Sequence, residues 1–70
     1  MPTLVRAVFP GTFDPITLGH EDMLRRACAL FGEVIVAVAM AHHKKTLFTL
    51  DERLSITRQA LADMPKVRVE

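Results

Sequence analysis

The stretch Pro10-Gly11-Thr12-Phe13-Asp14-Pro15-Ile16-Thr17-Leu18-Gly19-His20 joins an apolar run to an amphipathic one. Upstream, Leu4-Val5-Arg6-Ala7-Val8-Phe9 is rich in apolar and β-branched residues and predicts a strand that Pro10-Gly11 ends. Downstream, Met23, Leu24, Ala27, Cys28 and Phe31 recur at helical spacing and predict one buried stripe, with Gly32 as the stop. The Thr17 hydroxyl is placed to cap the first amides of that helix. Glu21 and Asp22 fall in its first turn, where the helix dipole favours negative charge. Strand, turn and helix in this order open a βαβ unit.

The rest of the chain repeats the pattern. Val34-Ile35-Val36-Ala37-Val38-Ala39-Met40 is a continuous apolar run of strand length, the signature of a parallel strand buried on both faces. A loop from Ala41 to Phe48 follows. Thr49-Leu50-Asp51-Glu52 is a capping box, and Leu50, Leu54, Thr57, Leu61 and Met64 form the next stripe, ended by Pro65. Val67-Arg68-Val69 starts a third strand. Strands alternating with helices imply a parallel sheet with right-handed crossovers. The expected architecture is α/β: a Rossmann-like βαβαβ unit, half of a doubly wound fold. Met23, Cys28 and Met64 read as core, and Asp51-Glu52-Arg53 chiefly as helix capping.

Half of the 70 residues are hydrophobic and 24% are charged, which is a globular composition rather than a disordered one. The net charge is +1 with both signs interspersed, so no basic stripe suggests a nucleic-acid partner. No apolar run approaches the roughly 18 residues of a membrane helix. The opening MPTLVRAVFPG lacks the charged start and long apolar core of a signal peptide. A cytoplasmic location and no membrane partner are the corresponding expectations. Cys28 is a lone cysteine, and no Cys/His spacing fits zinc. A chain this short buries only about 60% of its unfolded surface. Two helices and three strands cannot cover both faces of a doubly wound sheet. Residues 1–70 therefore read as the N-terminal part of a single larger domain, or as a unit stabilised by a partner chain.

In open α/β sheets, ligands bind beyond the carboxyl ends of the strands, where the loops Pro10–Thr17 and Ala41–Phe48 should both lie. Gly11 lets an anion approach the backbone, and Thr12 offers a hydroxyl donor. The helix beginning near Thr17 aims its free amides at the same space. Gly19 leaves the backbone open, His20 sits in the first turn, and Lys44 or Lys45 brings a mobile positive charge. Together they make a cradle for a polyphosphate and one further acidic group. Neither the Walker loop nor the dinucleotide fingerprint is present. Asp14, before Pro15, reads as a turn organiser rather than a catalytic carboxylate. His42-His43 reads as part of a solvated loop rather than as metal ligands.

Thr17-Leu18-Gly19-His20 resembles the T/H-x-G-H signature of a nucleotidyltransferase superfamily. Within it, PGTFDPITLGH followed by Lys44-Lys45 and Phe48-Thr49-Leu50-Asp51-Glu52-Arg53 is similar to the phosphopantetheine adenylyltransferases, over nearly the whole chain. Phe9 departs from a tyrosine common in that family, and Ala41-His42-His43 replaces smaller, more polar residues. Family members continue through an arginine-bearing segment and a serine/threonine-rich helix start that complete the nucleotide site.

The resemblance implies reversible transfer of an adenylyl group from ATP to 4′-phosphopantetheine in coenzyme A biosynthesis. It implies ATP binding by Gly11, Thr12, Phe13 and His20, with His20 as transition-state stabiliser. It assigns 4′-phosphopantetheine to Thr12 and Lys44, brings Mg2+ with the ATP, and implies a homo-oligomer, a homohexamer. Two other readings stand beside it. One is a relative such as a nicotinate-mononucleotide adenylyltransferase or a cytidylyltransferase, which usually carries His where this chain has Thr17. The other is a non-catalytic nucleotide-binding fragment.

Overall fold

The computed structural model describes residues 5–40 and 45–70. Its elements run β1 (Arg6–Gly11), α1 (Leu18–Leu30), β2 (Glu33–Val38), α2 (Leu50–Ala60) and β3 (Val67–Val69). The strands form one parallel sheet in the order β1-β2-β3, with Arg6 opposite Glu33 and Val34 opposite Val67. The expected βαβαβ order and parallel sheet are therefore present.

Two parallel crossovers stepping in one direction put both helices on one face of the sheet, because each is right-handed. Leu24 and Ala27 of α1, Val34 and Val36 of β2, and Leu61 and Met64 after α2 meet in a single core with Phe13 and Ile16. Leu24, Val34 and Val36 have no exposed surface, and each contributes roughly 1.5–3 kcal/mol by burial. The alternate residues of β1 and β2 point to the other face. There Val8 is 60% exposed, and Arg6 pairs with Glu33 at 2.8 Å. Expected burial of β2 on both faces is thus met on one face only among the described residues, since α1 and α2 lie on the same side.

Several local expectations need correction. β1 runs through Pro10 and Gly11 instead of ending before them. Gly11 O accepts from Ala39 N, so Pro10 turns its nitrogen toward the edge of β1 away from β2, where the missing N–H breaks no ladder bond. Gly32 is not a left-handed helix cap: no described glycine has positive φ. Phe31 is extended at the cap, and the amides of Gly32 and Glu33 both donate to Val5 O, so the chain passes directly into β2. Met23 is 46% exposed, on the edge of the stripe that Leu24 and Ala27 centre, whereas Met64 is core as expected. Cys28 is only half-buried. α2 ends at Ala60, before Pro65.

Candidate functional site

The turn after β1 is built around Phe13. Its φ is +49°, a left-handed conformation that costs a non-glycine residue about 1–2 kcal/mol. The ring is 6% exposed and joins the core, which offsets that strain. A Cβ on Gly11 would lie 2.9 Å from Phe13 Cε2, so Gly11 has a packing reason to lack one. The next residues, Asp14 and Pro15, are joined by a cis peptide bond, and Ile16 returns to the core.

Thr17 is the N-cap of α1, as its hydroxyl suggested. Thr17 Oγ1 accepts from His20 N at 3.3 Å, and Thr17 N donates to His20 Nδ1 at 3.0 Å. This is a capping box with histidine in the place usually taken by Glu or Gln. It also assigns the tautomer. A nitrogen that accepts from a backbone amide carries no proton, so in the neutral ring the proton is on Nε2. The Phe13 ring meets the imidazole edge-on, with centroids 5.0 Å apart, and braces it. With that tautomer His20 carries an Nε2–H donor at the first turn of α1. Among the described residues, a Cβ on Gly19 would meet Thr17 Oγ1 alone, at an ordinary 3.7 Å.

The second loop comes to the same edge of the sheet, as expected. Asp14 accepts from Leu47 N at 2.6 Å through Oδ2 and from Phe48 N at 2.9 Å through Oδ1. Its role is structural, but it bridges two loops rather than organising its own turn. Thr49 and Glu52 form the expected capping box of α2. Lys45 is exposed. Lys44, His42 and His43 lie outside the described residues.

Arg53 is the residue that sequence reasoning missed. Read as part of a cap, it is 1% exposed and, among the described residues, donates to backbone carbonyls. A signal was available, since Arg53 shares the stripe of Thr57, Leu61 and Met64 at i+4, i+8 and i+11.

A groove of about 370 Å3 lies elsewhere. Arg25, Cys28, Asp63 and Lys66 line it at the amino ends of β2 and β3. An exposed ion pair joins Arg25 to Asp63 at 2.9 Å, raising the arginine and lowering the carboxyl from their ordinary pKa values. Among the described residues, no helix is long and apolar enough to cross a membrane, and no group of three or more His, Cys, Asp or Glu could hold a metal.

The chain is 74% identical over 66 residues to a phosphopantetheine adenylyltransferase of Acidovorax sp. (strain JS42), covering 94% of this chain and 40% of the relative. A protein of the same name from Thiobacillus denitrificans is 58% identical over 67 residues, covering 96% and 42%. One from Bordetella avium is 54% identical over 66 residues, covering 94% and 40%. The chain thus spans about 40% of the length of these relatives. The model of the cytidylyltransferase-like family matches residues 8–70, which take in the glycine turn, the α1 cap with His20 and the Arg53 segment. The chain belongs to the cytidylyltransferase-like family.

Proposed function

We propose that this chain supplies the phosphate-gripping side of an adenylyltransferase that joins ATP to 4′-phosphopantetheine, giving 3′-dephospho-coenzyme A and pyrophosphate. The observation that carries the reading is His20. Its Nδ1 is held by the Thr17 amide, so Nε2–H is left as a fixed donor at the head of α1. The names of the relatives support phosphopantetheine as the acceptor.

The chemistry asks for little else from this edge. The acceptor phosphate has a second pKa of about 6 and is largely a dianion at neutral pH, so it needs no general base. An oxygen of that phosphate forms a bond to the α-phosphorus of ATP, and the bond from that phosphorus to the bridging oxygen breaks, releasing pyrophosphate. Catalysis is then positioning and electrostatic stabilisation. In this reading Gly11, Thr12 and Phe13 line the nucleotide, Thr12 also orients the acceptor, and His20 donates to the crowded phosphate oxygens. Lys44 binds the acceptor phosphate. Magnesium would accompany the ATP as part of the substrate complex.

The test is pyrophosphate release by the full chain with ATP and a panel of acceptors. Turnover with 4′-phosphopantetheine is expected. Turnover with nicotinate mononucleotide instead, or binding of ATP without turnover, overturns the proposal. Lys44→Ala should raise KM for phosphopantetheine more than KM for ATP, and equal effects on both would remove Lys44 from the acceptor site. The homo-oligomer and the cytoplasmic location belong to the same reading, and sedimentation of the full chain checks the first.

A further inference from the structure

Arg53 lies in the first turns of α2 with its side chain directed into the fold. Nε donates to Phe48 O at 3.2 Å. Nη1 donates to Thr12 O at 2.9 Å and to Ala39 O at 2.6 Å. Nη2 reaches Met40 O at 3.5 Å, a weak contact. One planar side chain thus collects carbonyls from the turn after β1, from the exit of β2 and from the residue before the α2 cap. Asp14 works from the opposite side, taking the amides of Leu47 and Phe48. The Phe48 residue is held at both its carbonyl and its amide. Residues 39–40 and residues 47–48 are therefore each held, and Lys44, to which the resemblance assigns the acceptor, falls between them in sequence, outside the described residues.

We propose that Arg53 is a positioning residue for the transfer reaction: it fixes Thr12, the exit of β2 at residues 39–40 and Phe48 before the α2 cap relative to one another, and so sets the spacing of the two loops that reach this edge of the sheet. The inference rests on the functional reading above. Its physical basis is the guanidinium fork. Burying a cation is costly unless its donors are satisfied, and only a planar group with several divergent N–H donors can satisfy carbonyls on three separate segments at once. A lysine at the same place would keep the charge but present its donors from a single point, and could not hold the same carbonyls together.

The test is Arg53→Lys in the full chain, with kcat, both KM values and thermal melting measured on the same preparation. Displacement of reacting groups by about 1 Å can cost roughly 100-fold, and a fall of that order in kcat/KM is expected, with KM for phosphopantetheine raised in a protein that still melts cooperatively. A purely structural role would lower the folded fraction, so apparent kcat would fall in step with that fraction while both KM values stayed at wild type; that result overturns the proposal. If Arg53→Lys does not fold, Asp14→Asn loosens the second of these loops at Leu47 and Phe48. It should raise KM for phosphopantetheine while leaving KM for ATP unchanged, and wild-type values for both overturn the proposal equally. Failure of the functional reading shows separately, as a wild-type chain that releases no pyrophosphate, and it takes this inference with it.

Discussion

Thr17 and Thr49 cap α1 and α2 in the same way. Each hydroxyl accepts from the amide three residues on, and each cap amide donates back to the side chain of that residue. The responding residue differs. At α2 it is Glu52, whose Oε1 takes the Thr49 amide at 2.9 Å, with Asp51 beside it. Those carboxylates fill the positive end of the helix with the chain's own charge. At α1 it is His20, whose Nδ1 accepts from the Thr17 amide at 3.0 Å. Glu21 follows one position later, about 100° around the helix from His20. Both ends are capped, α2 with a carboxylate in the box and α1 with an imidazole, and the proposed phosphate site lies at α1. A helix N-terminus becomes a ligand site where its own sequence leaves that end unfilled, and capping does not require filling it.

The most severe way to break this comparison is to turn the first cap into the second. His20→Glu keeps an acceptor for the Thr17 amide and places a negative charge where a phosphate should sit. Melting should stay close to wild type while turnover falls by about 100–1000-fold, the range for loss of one oriented donor. Glu52→Gln should leave turnover untouched. Steady-state kinetics showing normal turnover in the His20 variant would remove the distinction between the two caps.

A middle-sized effect separates the shared framework from the specialised one. Thr17→Ala and Thr49→Ala each remove a capping hydroxyl, and each should cost about 1 kcal/mol of stability. Only Thr17→Ala should also lower kcat, because that hydroxyl lies 3.2 Å from His20 Nδ1 and helps to hold the ring. Matched melting curves with unmatched kinetics are the expected outcome. Equal kinetic effects would make the α1 cap a stability device and nothing more.

The smallest effect lies far from both caps, at the Arg25–Asp63 pair, where the side chains are 53% and 61% exposed. The hydrogen bond from Arg25 holds the Asp63 carboxyl below its ordinary range. A depressed carboxyl contributes stability above its unfolded pKa and loses it as pH falls through the folded one. Asp63→Asn should therefore hardly move the melting temperature at either pH, with any loss seen at neutral pH and gone in acid, and should leave turnover unchanged. A change in KM with this variant would tie the far groove to the site.

Much of this was legible before the structure. The five elements, the caps at Thr17 and Thr49 and the meeting of the two loops follow from apolar spacing and turn residues. The errors share a cause. Spacing alone puts Met23 in the core, but three strands with helices on one side bury only a narrow stripe and leave it 46% exposed. Pro10 looked like a strand end, yet its missing N–H falls on the side where β2 has no claim. Arg53 carried a charge at a stripe position, and its charge rather than its position was read.

What the sequence determined by itself is the order of elements, their starts and the identity of the residues at the head of α1. Those depend on interactions between residues three or four apart, such as Thr17 with His20 and Thr49 with Glu52. The tertiary structure alone decided which polar groups lock the two loops together. Arg53 reaches Thr12 across 41 positions, and Asp14 reaches Phe48 across 34. Such bonds carry no local periodicity, and they exist only once right-handed crossovers have brought the ends of β1 and β2 to the same edge.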